Sequence, residues 1–472
     1  MLSHDSEQKL PEAMYSVGPL GVSLFTCAGI GDLGFRASGI RFLVMNEIER
    51  DRASLAALNF PEARVLTDDI AAVGPDAVKT VQNELSLRGH DLFLLSCTAP
   101  CQGMSSAGMG SLLRNVRDGK RPTVDPRNRL ILPALRLIQS LRPLWVVFEN
   151  VVGMRNTIIL DEENRPRRIL EVIESELGPD YSGSAYDVEF ADYGVPQRRQ
   201  RLITIYTRDS RGVEWLRSGG LLVPPATHSK SSTSGLLRWV SVAEALDGFP
   251  ALDSSSHRLA ASPDLPLHHV PVLDPKKYEW LRHTPPGKSA FDNQCVNPKC
   301  HFSGNPTHGA RRDKHGVNRA STETPLYCAS CGELLPRPFA EGPNGTRRIM
   351  RGYTSAYKRM RADLPAPTIS RNLSFPCGDQ KIHPFENRVL SLAEALRLQT
   401  VDRFSFSWGP ISYRQENGKL KHRGVAPDGL IRMCLAESIP PAFTQALGSH
   451  IQRIAAGMAI AADPRSAQLQ LL

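Results

Sequence analysis

Short apolar runs that each stop at a small or polar residue recur through the first two hundred residues, at 22–25, 42–45, 92–95 and 145–148. Helical stretches such as 51–58 and 130–140 lie between them. This alternation predicts βαβ units and an α/β fold, a doubly wound parallel sheet with helices on both faces. The runs end at Thr26-Cys27-Ala28-Gly29, Asn46-Glu47, Ser96-Cys97 and Glu149-Asn150. Ligands of such sheets bind beyond the carboxyl ends of the strands, so these four sets of residues are where chemistry is expected.

From about residue 210 to 384 the texture changes: Pro, Ser, Gly and basic residues rise and periodicity fades. A second, smaller and irregular domain with its own short strands is expected there. Helical pattern returns at 391–398 and 441–456. The expected division is a catalytic domain over 1–212, a recognition domain over 213–428, and a C-terminal segment over 429–472 that returns to the first. The formal charge of +9 favours a polyanionic partner through Coulomb attraction and counterion release. No apolar run is long enough to cross a bilayer. The polar, acid-bearing first residues do not read as a secretory signal. Together with the lack of a disulfide pattern among nine cysteines, this predicts a monomeric cytoplasmic protein near the nucleoid.

Cys101 lies in a Gly/Ser-rich loop just past the third apolar run, in Ala99-Pro100-Cys101-Gln102-Gly103. A cysteine there can be exposed and reactive; the bland alternative is a buried loop thiol. Glu149 ends the strongly apolar fourth run. Partly dry surroundings at that position would raise its pKa and let it donate a proton, unless it is simply a salt-bridged acid. Arg199 and Arg201 alternate along the strand that continues through 202–205. A guanidinium there can hold a carbonyl oxygen and a neighbouring acid together, the alternative being a solvent-facing basic strand.

These pieces, in this order, resemble the DNA cytosine-5 methyltransferase family of bacterial type, over nearly the whole chain. Leu24-Phe25-Thr26-Cys27-Ala28-Gly29 through Asp32-Leu33-Gly34-Phe35 looks like its cofactor loop, and Pro100-Cys101-Gln102 its nucleophile motif. Asp125-Pro126-Arg127-Asn128 and Glu149-Asn150-Val151 match the next two blocks. The stretch from Tyr193 to Arg201 matches the Gln-x-Arg-x-Arg motif. Arg388 with Glu394, Arg397 and Gln399 resembles the late motif that braces the recognition domain. Each short piece is weak alone, but the ordered combination is specific. Four departures stand out: Cys27 where glycine is common, Ser96-Cys97-Thr98-Ala99 in place of the usual Gly- and Pro-rich lead-in to the nucleophile, Met104 where phenylalanine is common, and Glu437-Ser438-Ile439-Pro440-Pro441 without the usual Gly-Asn pair.

The resemblance implies S-adenosylmethionine as methyl donor, a Rossmann-like sheet and double-stranded DNA as partner. It implies a cofactor pocket of Phe25, Thr26, Ala28, Gly29, Glu47, Asp69, Ile70, Pro100, Asn128 and Ser438. Glu47 would bind the ribose and Asp69 the adenine, although Asp69 is equally suited to capping a helix. Cys101 would add to C6 of cytosine, Glu149 would assist at N3, Arg201 would contact the base and Arg199 would support the pocket. Such an addition makes C5 enamine-like, which is the chemistry an acid opposite a thiolate serves. The target atom is inaccessible in a stacked duplex, so the base must be swung out. The basic loop after Cys101, with Arg114 and Arg117, would close over the DNA. Gln102, Ser105 and Gln197 would reach it from the catalytic side. Methylation in restriction protection or phage defence follows, with a cognate nuclease or defence subunits as candidate partners. A transfer-RNA methyltransferase and a catalytically impaired DNA-binding or cofactor-sensing relative are the alternatives.

Cys295-Val-Asn-Pro-Lys-Cys300 and Cys328-Ala-Ser-Cys331 form two close pairs inside the recognition region. Their separation fits a zinc ribbon over about 290–335, with structural zinc expected on four thiolates; unmetallated loop thiols are the alternative. The nearby Arg311, Arg312, Arg347 and Arg348 are candidates for DNA phosphates.

Overall fold

The computed structural model describes residues 18–88, 91–100, 125–231, 235–312, 318–321, 323–350, 356–378, 380–414 and 420–458. Cys101, Gln102, Ser105, Arg114 and Arg117 lie outside them.

Seven strands form the main sheet. They are β1 (Leu20–Leu24), β2 (Arg41–Asn46), β3 (Arg64–Leu66), β4 (Leu94–Cys97), β5 (Trp145–Asn150), β6 (Ser182–Glu189) and β7 (Gln200–Thr207). Their order is β3-β2-β1-β4-β5-β7-β6. β1 to β5 run parallel. Helices α1 (Asp32–Ala37), α2 (Arg50–Asn59), α3 (Ile70–Arg88) and α4 (Ile131–Leu141) serve the crossovers. β1, β4 and β5 are buried on both faces, as their unbroken apolar runs require. Two separate apolar cores cover those faces. Phe35, Phe42 and Phe60 mark one, and Leu95, Leu135 and Phe148 the other.

The sheet departs from the all-parallel expectation at one edge. β7 pairs antiparallel with both β5 and β6. The link from Glu189 to Gln200 is too short for the dozen or more residues that a parallel crossover needs, so the chain must reverse.

The C-terminal helix Pro441–Ala455 returns to pack on α1. Thr444 Oγ1 donates to Gly31 O at 2.6 Å. The contact is close because Gly34 carries no side chain: a Cβ there would stand 2.0 Å from Pro441 O.

Between the sheet and this helix, the chain forms short two-stranded pairs around a third core that includes Trp280, Phe291 and Tyr357. Buried Arg359 holds this irregular region together by donating to the carbonyls of Leu281, Thr284, His383 and Glu386. Where regular ladders are lacking, one five-donor side chain satisfies several orphan carbonyls. Among the described residues, no helix is long and apolar enough to cross a membrane.

Candidate active site and cofactor cleft

The ends of β1, β2, β4 and β5 converge on one crevice because parallel strands all present their carboxyl ends to the same side. At the end of β5, Glu149 is buried and its Oε1 lies 3.0 Å from Arg201 Nε. The antiparallel pairing sets this contact: Leu202 of β7 lies opposite Asn150. Glu149 is therefore an ion-paired acid.

Asn150, one residue on, donates from Nδ2 to Ala99 O at 3.0 Å. The chain leading into Cys101 is thereby tied to the strand end that carries Glu149. Thr98 Oγ1 donates to Phe25 O at 2.8 Å, tying the same segment to the loop after β1. Three loops thus share one hydrogen-bonded seam.

Arg199 does not share Arg201's surroundings. It is buried outside β7 and donates from its Nη2 to Ala436 O at 2.8 Å and Ser438 O at 3.0 Å. Through these two carbonyls it positions the wall of the crevice, one residue before β7 begins. Gln197 is likewise buried and spent within the protein. Its Nε2 donates to Gln399 Oε1 at 2.6 Å, and its Oε1 accepts from Ile369 N at 2.9 Å. The expected DNA contact at Gln197 is replaced by a brace between the sheet and the late motif.

In the loop after β1, Phe25 and Cys27 both have positive φ, at 58° and 55°. That left-handed conformation explains why glycine suits position 27 better than cysteine. Gly29 has φ +80°, and a Cβ there would lie 2.5 Å from the Phe60 ring. Close packing against the core, more than approach to a ligand, dictates this glycine.

Glu47 is buried just past β2 and its Oε1 accepts from Glu49 N at 2.8 Å. Burial pushes its carboxyl above the usual range, against the pull of the Glu49 amide and the Arg52 charge. Asp69 is exposed, and its Oδ1 accepts from Ala71 N at 2.8 Å, where it caps α3, which begins at Ile70. Asn46 reaches across to Leu66 O and Asp68 O, both at 3.1 Å, and so holds the loop that carries Asp69. Sequence reasoning missed Asn46; a polar residue closing an apolar strand was the available signal.

Asn128 is buried and its Oδ1 has no hydrogen-bond partner. An orphaned acceptor of that kind calls for a donor. Ser438 closes the crevice from the C-terminal side, its carbonyl accepting from Gln399 Nε2 at 2.8 Å. Buried Glu47, the unpartnered Asn128 acceptor and the seam at Phe25, Ala99 and Pro100 fit a nucleoside with an amino-acid tail. The fit is chemical, an acid for ribose hydroxyls and an amide oxygen for an amino group.

Asp32 lies in the stretch that resembles the cofactor loop, and the sequence assigns it no role. It is buried at the start of α1 and accepts from Ser23 Oγ at 3.0 Å and from Thr26 Oγ1. Burial pushes its carboxyl up to about 7, with the two hydroxyls pulling it down. A raised carboxyl pKa means the folded state holds the proton more tightly than the unfolded chain. The associated stability is present below the unfolded value near 3.8 and is lost as pH rises through about 7. Thermal midpoints of the wild-type protein are expected to fall between about pH 4 and 7 and to level off above. The Asp32→Asn variant should lack that fall; an unchanged pH profile in the variant would rule out Asp32 as its source.

In the recognition region, the Sγ atoms of Cys295, Cys300, Cys328 and Cys331 all lie within 4.8 Å of one another. Arg347 lies 3.3 Å from Glu341 and 5.1 Å from the Phe339 ring centroid, while Arg348 is exposed. The strands Ala310–Arg312 and Asn318–Ala320 pair antiparallel, with Arg311 and Arg319 in register.

The family model described as C-5 cytosine-specific DNA methylase matches residues 21–415. Type II methyltransferase M1.HgaI of Avibacterium volantium is 27% identical over 431 residues, covering 89% of this chain and 95% of its own. Type II methyltransferase M.DdeI of Desulfomicrobium norvegicum is 24% identical, covering 89% and 88%. Among solved structures, the S. pombe Dnmt2 methyltransferase superposes with a TM-score of 0.47 at 10% identity, over 94% of this chain and all of that one. The motif order and the crevice agree with the match over residues 21–415: the chain belongs to the family of C-5 cytosine-specific DNA methylases, enzymes that draw their methyl group from S-adenosylmethionine.

Proposed function

We propose that the protein methylates C5 of a cytosine swung out of a specific duplex DNA sequence, as the protective half of a restriction–modification system. The observation that carries the reading is the Glu149–Arg201 pair at the end of β5, next to the Asn150–Ala99 bond that leads to Cys101. A carboxyl and a guanidinium side by side match one edge of cytosine, N3 with O2. The bound cofactor supplies an electrophilic methyl group on a cationic sulfur.

The Cys101 thiolate adds to C6 of the base, and Glu149, having taken a proton from solvent, donates it in a hydrogen bond to N3 to stabilise the charge that develops in the ring. Arg201 holds O2 and fixes the carboxyl of Glu149. C5 then takes the methyl group, loses its proton to solvent, and expels the thiolate to restore the aromatic ring. Arg199, Gln197 and Gln399 are positioning residues that hold the crevice wall. Glu47, Asp69 and Asn128 hold the cofactor's ribose, adenine and amino group.

Restriction protection rests on the relatives named as type II methyltransferases. A cytoplasmic monomer acting on the nucleoid is the setting this implies, with a cognate nuclease as its counterpart.

The test is transfer of labelled methyl groups to duplex DNA, with transfer RNA as the competing substrate. Glu149→Gln is expected to lower kcat about 100- to 10,000-fold while cofactor affinity stays within a few-fold. Transfer to RNA but not to duplex DNA, or full activity in the Glu149→Gln variant, would overturn the proposal.

A further inference from the structure

Four sulfurs from two distant stretches of chain meet at one point of the recognition region. Cys295 Sγ and Cys331 Sγ are 3.6 Å apart, and Cys300 Sγ and Cys328 Sγ are 3.9 Å apart. Zinc bound at about 2.3 Å by four thiolates arranges them on a tetrahedron with edges of about 3.8 Å. The two measured separations fall at that edge length. A disulfide would bring two of the sulfurs to about 2.0 Å, which neither of these pairs approaches. The crossed pairing, in which each close contact joins one residue from each stretch, is how a tetrahedral ion is shared between two knuckles.

The surroundings are built for thiolates. Asn305 Nδ2 lies 3.7 Å from Cys328 Sγ, and Asn297 Nδ2 lies 4.0 Å from Cys331 Sγ. Amide donors aimed at sulfur offset the negative charge that four thiolates and one dication leave behind. Cys295 and Cys328 are buried with Leu335 in a small core of their own, so the cluster has an apolar side and a wet side.

The knuckles also flank something. Between Cys300 and Cys328, 28 positions apart, runs the hairpin of Ala310–Arg312 with Asn318–Ala320. Its base is closed by Ser321 N donating to Gly309 O at 3.0 Å. His308 anchors that base: its ring stacks on Phe291 at 4.4 Å, and its amide donates to Asp292 Oδ1 at 2.7 Å. On the other side, buried Arg337 donates to Asn293 O, Pro306 O and Pro325 O. These carbonyls bracket both knuckles. Among the described residues of this stretch, little else is regular enough to set its shape, and few apolar residues are there to do so.

We propose that Cys295, Cys300, Cys328 and Cys331 hold one structural zinc ion, and that this ion sets the shape of the recognition region on which duplex DNA affinity depends. The zinc half stands on sulfur geometry alone. The DNA half rests on the reading of the protein as a duplex methyltransferase. Four protein ligands fill a tetrahedron, so the ion has no open position and takes no part in the chemistry.

The experiment uses the full-length purified protein. Elemental analysis for zinc and iron is expected to give about one zinc per chain and little iron. Cys331→Ser should hold well under half an equivalent, and Cys331→His, which keeps a ligand, should hold close to the wild-type amount. Duplex DNA affinity is expected to fall about tenfold in Cys331→Ser, with a shallower salt dependence, and to return in Cys331→His. Binding of S-adenosylmethionine should stay within about twofold in all three, since the cleft and the knuckles share no residue; it also shows that the variant is folded. A wild-type protein without zinc, iron matching or exceeding zinc, or full zinc in Cys331→Ser would overturn the metal assignment. Zinc loss with unchanged DNA affinity would overturn the ion's role in DNA recognition. Neither result depends on methyl transfer, so a failed transfer assay is distinguishable from a failed metal site.

Discussion

Cys101→Ala is expected to bind duplex DNA and S-adenosylmethionine yet lose methyl transfer by about four orders of magnitude or more. The size follows from the chemistry. C5 of cytosine is a weak nucleophile until a sulfur adds at C6. Cys97, the nearest cysteine in sequence, is buried in β4 and burial pushes its thiol up to about 12. It cannot substitute at neutral pH. Asn150 holds Ala99, so the substitution leaves the approach to the site anchored. A second readout isolates the covalent step. Duplex DNA carrying 5-fluorocytosine cannot lose its C5 substituent as a proton, so the wild-type enzyme should remain bonded to it. Denaturing gels should show that adduct for the wild type and none for the alanine variant. Methyl transfer retained in Cys101→Ala would remove the nucleophile assignment.

The largest effect on stability is expected at Glu394. Its two carboxylate oxygens each lie 2.7 Å from the Arg388 guanidinium, and both side chains are wholly buried. Glu394 Oε2 also accepts from Ser391 N at 2.8 Å, completing a capping box on the helix Leu392–Leu398. Removing Glu394 leaves buried Arg388 with only Glu386, 2.7 Å from its Nε, to answer its charge, at a cost of about 3 kcal/mol, the low end for breaking a buried pair. Replacing both with apolar residues of similar volume should cost much less, because the desolvation penalty goes with the charges. Denaturant midpoints for Glu394→Ala and for the double variant Arg388→Met with Glu394→Leu test this. Equal losses in the two would show that packing, not the charge pair, sets the cost. Burial alone would push the Glu394 carboxyl up, but the Arg388 hydrogen bonds and charge hold it below the usual range. The pair's contribution is therefore present above the unfolded value of about 4.3 and is lost as pH falls below it. The single variant should lose its difference from wild type in acid.

Much of the catalytic half was legible because burial on both faces of a parallel sheet writes continuous apolar runs, and strand ends write polar stops. Glu47, Glu149 and the lead-in to Cys101 were placed at strand ends by that rule alone. The two cysteine pairs were legible from spacing, since a tetrahedral ion needs two short-range pairs brought together. What the alternation left open was the partner of each arginine. It put Arg199 and Arg201 on one face; Arg201 meets Glu149, whereas Arg199 reaches the carbonyls of Ala436 and Ser438. Gln197, expected to reach DNA, is instead buried against Gln399.

From the amino-acid order alone came the family of chemistry, the strand-end acids and the two close cysteine pairs, because each depends on residue types at fixed short intervals. Only the tertiary structure decided which side chains share a pocket. Arg201 meets Glu149 through antiparallel pairing across 52 residues of chain, Gly34 admits a helix that begins more than 400 residues later, and Arg388 finds Glu394 in a dry interior. Long-range register, close backbone approach and loss of water are properties of the folded chain, and no local pattern encodes them.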